Sequence, residues 1–276
     1  MVAETRERTP QKERASAMAS PAILAKVVSN PLTNAARRIK LEARVLRHAR
    51  FHQQCPICGA RFRFVLVDNR GDRHAMLCLR CKSLERHRRT ILLLRQTELY
   101  TAKRPLRVLH VAPEPCLRPS IQSIAGIEYI TGDLLEDDVD VKLDLTDMGF
   151  SDRSFDVIIC SHVLEHVPDD VRAMREMRRV LASDGWALIN VPADPELTAS
   201  REDAAITDPQ ERLAEFGQED HVRVYSQRDF IDRLTRAGFD VSVDPVEFTT
   251  EQRRRHLLDG DAGWDRSYLC RPALAN

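Results

Sequence analysis

Two cysteine pairs, Cys55-x2-Cys58 and Cys78-x2-Cys81, stand nineteen residues apart. Paired CxxC knuckles at this separation bring four thiolates onto one tetrahedral ion, and four sulfurs leave no open position. The chemistry expected is therefore a structural Zn2+ site, with a redox pair as the alternative. Gly59 suits the tight turn after the first knuckle. The intervening ARFRFVLVDNRGDRHAM holds two strand-like runs around Asn69-Arg70-Gly71, as a zinc ribbon requires. His52 and His74 are rival ligands, though four cysteines suffice. Cys116, Cys160 and Cys270 stand alone and read as small buried hydrophobes.

A second set of chemical residues is acidic. Asp133 falls at the end of the run EYITGD and Asp144 at the end of VKLD. Ligands of open α/β sheets bind beyond the carboxyl ends of the strands. There Asp133 can accept from both hydroxyls of a ribose. Asp144 can accept from an adenine amine, with Leu145 and Met148 packed on the base. The alternative for each Asp is a loop cap. His162, just past DVIICS, can take a proton near neutral pH, or serve as a packing residue at the strand end. His221, Arg223 and Tyr225 either orient an anionic substrate or anchor the preceding loop.

These residues need elements to hold them. From Leu106 short apolar runs alternate with helical patterns, which predicts a parallel α/β sheet. Strands are expected at 107–111, 128–132, 139–144, 156–161, 186–191, 241–248 and 266–271. DDVRAMREMRRVLASDG reads as a helix with Val171, Met174, Met177, Val180 and Leu181 inward. SQRDFIDRLTRAGF reads as another, with Ser226 as N-cap, Asp229 three residues on and Gly238 as the stop. SLERHRRTILLLRQTELY is a helix with Ser83 as N-cap. A basic helix is expected over 34–51, and 1–30 are expected to be disordered.

Four parts follow: a basic arm over 1–50, the zinc-ribbon-like module over 51–82, a linker helix over 83–104, and an α/β domain over 105–276 with a lid-like insertion near 195–222. Net charge is zero, but residues 1–104 carry 23 Lys and Arg against 8 Asp and Glu, and the remainder 19 against 34. Either the halves attract each other, or the basic third holds a polyanion such as RNA. No stretch approaches the ~18–20 apolar residues of a membrane span. No signal peptide is evident and the cysteine pairs suit a reducing compartment, so the cytoplasm is expected.

The stretch DVIICSHVLEHVPDD, with LDLTDMGFSDRSFDVI before it and RRVLASDGWALINVP after it, resembles class I S-adenosylmethionine-dependent methyltransferases, nearest the type-11 subgroup. The resemblance runs from about Leu106 to Val246. It implies a seven-stranded Rossmann-like sheet with helices on both faces and its last strand antiparallel, binding S-adenosylmethionine over the first four strands. By position Asp133 matches the ribose acid, Asp144 and Leu145 the adenine contact, and Ser161 the fourth-strand motif; Glu165 and His166 look structural. HVAPEP replaces the glycine-rich first loop. Ala112 is small enough to admit a cofactor, Pro113 offers no N–H, and Glu114 can accept from the cofactor's ammonium group. A zinc ribbon followed by APEP resembles a recurring subgroup with this variant loop. The function implied is methyl transfer to an oxygen or nitrogen of a small molecule, a glycan or RNA. The alternatives are an RNA methyltransferase gripping RNA through its basic zinc module, and a non-catalytic zinc scaffold.

Overall fold

In a computed structural model of the 276-residue chain, residues 53–61, 65–68, 74–258 and 265–274 are described. The arm, the helix expected over 34–51, His52, the side chain of His74 and the turn at 69–71 lie outside them. The described residues all belong to one compact unit, Val45–Asn276.

The cysteine module contains a hairpin of β1 (Val65–Asp68) and β2 (His74–Leu77), antiparallel with Val65 opposite Leu77 and Asp68 opposite His74. Helix α1 (Glu85–Leu94) follows. Then come β3 (Leu106–Val111), α2 (Arg118–Gln122), β4 (Ile127–Asp133), β5 (Val141–Lys142), β6 (Phe155–Ser161) and α3 (Asp170–Val180). The chain continues through β7 (Leu181–Asp194), β8 (Arg201–Glu202), α4 (Pro209–Phe216), β9 (Arg223–Ser226) and α5 (Gln227–Arg236). It closes with β10 (Phe239–Val243), α6 (Thr250–His256) and β11 (Asp265–Pro272).

The main sheet runs β10-β11-β7-β6-β3-β4-β5, and β9 joins β7 and β8 at its edge. Pairing is parallel from β7 to β5, whereas β11 is antiparallel to both its neighbours. This is the seven-stranded α/β sheet expected from the sequence. Its strands are apolar on both sides because both faces are covered. Leu109, Ile158 and Ile189 enter a core with Met174 and Met177 of α3 and Phe230 and Leu234 of α5. Their neighbours Val108, Ile159 and Leu188 enter a second core with Ile91 and Leu94 of α1, Leu117 at the N-cap of α2 and Ile121 within it. Among the described residues, no helix is long and apolar enough to cross a membrane.

Several boundaries differ from expectation, each for a local reason. The strand expected over 139–144 is only Val141–Lys142, because the Asp144 carboxylate folds the chain back onto Thr146. The strand expected over 241–248 begins at Phe239 and stops at Val243, where Asp244 takes a left-handed φ of 43° ahead of Pro245. Helix α3 ends at Val180, since Leu181 is already extended and pairs with Phe155. Ser226 occupies the N-cap of α5, but its hydroxyl donates to Leu197 O at 2.7 Å, and Asp229 binds Arg233. Ser83 is not the cap of α1. Leu84 is, with its amide donating to His87 Nδ1 at 3.0 Å.

Candidate active site and metal centre

Each CxxC knuckle is held by the same backbone device. The Gly59 amide donates to Cys55 O at 2.9 Å and the Lys82 amide to Cys78 O at 2.7 Å. Both residues are left-handed, with φ of 71° and 60°. Glycine adopts this conformation freely and lysine at a cost, so only the first knuckle advertises its turn in the sequence. The four Sγ atoms lie within 4.8 Å of one another, with Cys55–Cys81 and Cys58–Cys78 at 3.6 Å. A tetrahedron with metal–sulfur bonds of about 2.3 Å has edges of about 3.8 Å. The cluster therefore fits a four-thiolate ion. Hydrogen bonds from Cys58, Cys78 and Cys81 pull the Cys55 thiol well below its ordinary range. The Ser83 hydroxyl, freed from capping, lies 3.2 Å from Cys81 Sγ.

At the C-terminal edge of the parallel strands, Ala112 follows β3 with φ 46°, and its amide donates to Gly132 O at 2.8 Å. The turn thus keeps a glycine-type backbone without glycine. Glu114 accepts from His110 Nε2 at 2.8 Å, and His110 Nδ1 meets the Tyr129 hydroxyl at 2.7 Å. Burial opposes ionisation of Glu114, yet the hydrogen bond and charge of His110 hold it down at about 2.

Asp133 ends β4, where its Oδ1 accepts the amides of Leu135 and Glu136 at 2.7 and 2.8 Å. Oδ2 lies outside these bonds. Asp144 Oδ1 takes both the amide and the hydroxyl of Thr146, which hold its carboxyl below the ordinary value. Both aspartates therefore cap loops; Asp133 ends β4, whereas Asp144 lies two residues past β5. Leu145 and Met148 are buried in the core under the sheet, while Leu134 and Leu135 are 59% and 82% exposed beside Asp133. Ser161 is buried with its hydroxyl accepting from Asn190 Nδ2 at 2.9 Å.

His162 follows Ser161 in a left-handed turn of φ 55° that extends the β6–β7 ladder through its amide to Asn190 O. Its Nδ1 is 3.3 Å from Glu165 Oε1 and its Nε2 is 3.1 Å from Asp265 Oδ1. Burial works against the charged ring, but the two carboxylates prevail and raise it to about 10. Asp265 and Glu165 are functional candidates that the sequence reading did not pair with His162. Asp265 is distant in sequence, and only the antiparallel β11 delivers it. Arg223 and Tyr225 are spent within the protein. Arg223 donates to the carbonyls of Leu164, Val167 and Pro168, and Tyr225 to Asp170 Oδ2 at 2.7 Å. Arg223 thereby anchors the 3-10 turn Leu164–His166, and Tyr225 the start of α3.

No curated protein matches the chain. Among solved structures, the [4+2]-cyclase SpnF is similar at 16% identity and a TM-score of 0.49, over 80% of this chain and 89% of that one. An S-adenosylmethionine-dependent methyltransferase from Mesorhizobium loti is similar at 16% identity and a TM-score of 0.48, over 66% and 96%. Both likenesses concern the fold. A family model described as a methyltransferase domain matches residues 95–242, more than half of the chain, and the protein belongs to that family.

Proposed function

We propose that the protein is an S-adenosylmethionine-dependent methyltransferase acting on an oxygen or nitrogen nucleophile, with a structural zinc ion on Cys55, Cys58, Cys78 and Cys81. The observation that carries the reading is the turn after β3, where Ala112 holds a left-handed φ of 46° with its amide on Gly132 O. That turn bends the chain at the carboxyl end of β3, where ligands of open α/β sheets bind, and the small side chain of Ala112 leaves room for the cofactor.

In this reading Asp133 accepts the ribose hydroxyls through Oδ2, and the exposed Leu134 and Leu135 shield the nucleoside. Asp144 and the Leu145 backbone meet the adenine edge, and Ala112 and the Ser161 backbone line the path of the cofactor. Glu114, ionised and partly exposed, accepts from the ammonium group. The bound cofactor supplies the electrophilic methyl group. His162 stands beside the acceptor, held between Glu165 and Asp265. Flanked by two carboxylates and held charged, it orients the acceptor and supports negative charge there, and it does not serve as the base. The excursion over 195–222 is assigned to acceptor selection.

A second reading, RNA methylation, is favoured by the 23-to-8 charge excess of residues 1–104. Against it, Arg89 pairs with Asp244 at 3.5 Å and Arg104 with Asp156 at 2.6 Å, so part of that charge is used internally.

The test is calorimetric titration of the zinc-loaded protein with S-adenosylmethionine and S-adenosylhomocysteine. Micromolar binding is the expected result. A folded, zinc-bound sample that takes up neither ligand would shift the assignment to a non-catalytic scaffold. RNA binding that weakens steeply with salt would favour the second reading.

A further inference from the structure

We propose that Glu165, His166 and His221 form a second metal site, holding a divalent transition-metal ion whose open positions receive a hydroxyl oxygen of the methyl acceptor. The ion follows from geometry alone; its acceptor role rests on the methyltransferase reading. One ligand atom from each residue lies within 4.8 Å of the others. Glu165 is 1% exposed and His221 5% exposed. Neither carboxylate oxygen of Glu165 accepts a hydrogen bond. A buried carboxylate without donors is costly, and such groups in native proteins ordinarily have a partner to account for them. His162 at 3.3 Å meets part of that need, but Asp265 shares it.

The cluster is also built in advance. The Val222 amide donates to Glu165 O at 3.0 Å, which ties the segment carrying His221 to the turn carrying Glu165 and His166. Arg223 pins the same turn through the Leu164 carbonyl, and the chain just after it through the Pro168 carbonyl. The two imidazoles stand 4.7 Å apart at 83°. Nδ1 of His166 lies 3.2 Å from the carbonyl and 3.4 Å from the carboxylate of Asp220, leaving its other nitrogen for an ion. An oxygen or carboxylate partner of this kind ordinarily steadies a metal-bound imidazole.

One carboxylate and two imidazoles suit zinc, manganese, cobalt or iron. Three protein ligands leave positions open, unlike the four cysteines. The turn directly follows β6, the strand end at which the acceptor is assigned. A hydroxyl bound there ionises more readily and releases its proton to solvent. Its oxygen then donates an electron pair to the methyl carbon of S-adenosylmethionine. The carbon–sulfur bond breaks with its pair remaining on sulfur, giving the methyl ether and S-adenosylhomocysteine.

The test adds Mn2+, which thiolates disfavour, to the zinc-loaded full chain, with zinc stoichiometry measured in parallel. Wild type should bind one Mn2+ by electron paramagnetic resonance, or a second zinc by mass spectrometry, and bound Mn2+ should enhance water-proton relaxation. Glu165→Gln and His166→Ala should each weaken this binding at least tenfold while keeping one zinc and an unchanged S-adenosylmethionine affinity. His166 is on the surface of the turn, so its variant remains informative if Glu165→Gln fails to fold. Absence of both Mn2+ and a second zinc in wild type, or equal binding by both variants, overturns the site. Bound Mn2+ with no relaxation enhancement overturns its open positions. Mn2+ binding in a protein that ignores S-adenosylmethionine upholds the ion and removes the methyltransferase role.

Discussion

Asp133 carries two tasks on one carboxylate, capping its own loop through Oδ1 and, in the proposed function, holding ribose through Oδ2. Replacement by Ala removes both; replacement by Asn keeps an acceptor for the cap and removes the charge. Asp133→Ala should weaken S-adenosylmethionine binding about 30- to 100-fold, the loss of roughly 2–3 kcal/mol of charged hydrogen bonding. Calorimetry on both variants separates cap from ligand, and undiminished affinity in Asp133→Ala would refute the ribose placement. Glu114 makes a prediction about pH. Its folded value of about 2 lies below the usual carboxylate value, so the unfolded state binds its proton first as pH falls. The stability it contributes is complete above about pH 4.5 and disappears towards pH 2, amounting to about 3 kcal/mol at most. The stability gap between wild type and Glu114→Gln, measured by denaturant titration, should therefore be constant near neutrality and narrow below pH 4.5. A gap that does not change with pH would mean that charge is not what Glu114 contributes.

Among the elements, α1 does more than link two modules. Arg88, wholly buried on it, donates to Ser83 O at 2.9 Å, His256 O at 2.7 Å and Leu257 O at 2.8 Å. One side chain thus satisfies carbonyls from the second knuckle and from the end of α6. Arg88→Met should destabilise the protein by about 3–5 kcal/mol, since the stem is replaced and the carbonyls are left buried without their donor. A melting curve within a degree of wild type would show that those carbonyls find other donors. The sequence exposes α1 through its apolar spacing but hides this role, because its partners lie about 170 residues downstream. The same distance explains Ser83. Its type suits an N-cap, yet the cysteine cluster beside it claims its hydroxyl.

At the scale of the molecule, the cysteine module is docked on the sheet domain. Gln54 exchanges backbone and side-chain bonds with Arg255 and His256, Arg95 donates to Pro56 O at 2.8 Å, and Ile57 packs against the second core. Stripping the proposed zinc ion with a thiol reagent and chelator should accordingly lower the melting temperature of the whole unit, by roughly 10 °C for a loss of several kcal/mol. Calorimetry should still show a single transition. A methyltransferase domain that melts as before, with only a separate low-temperature step added, would mean the module folds independently.

The cysteine spacing, the placement of Val108 beside Leu109 or Ile158 beside Ile159, and the acids near strand ends were all written locally, and local pattern was enough for the four-cysteine cluster and the sheet. Periodicity states which side chains must be covered, and CxxC states what its sulfurs can reach. The strand order followed from resemblance to a family, since periodicity alone carries no pairing. What the chain did not reveal by itself was which residues share a pocket. His162 meets Asp265 because β11 runs antiparallel beside β7, and Glu165 meets His221 because β9 returns to the sheet edge. Those encounters are set by strand order over 50 to 100 residues, and no window of sequence short enough to read contains both partners.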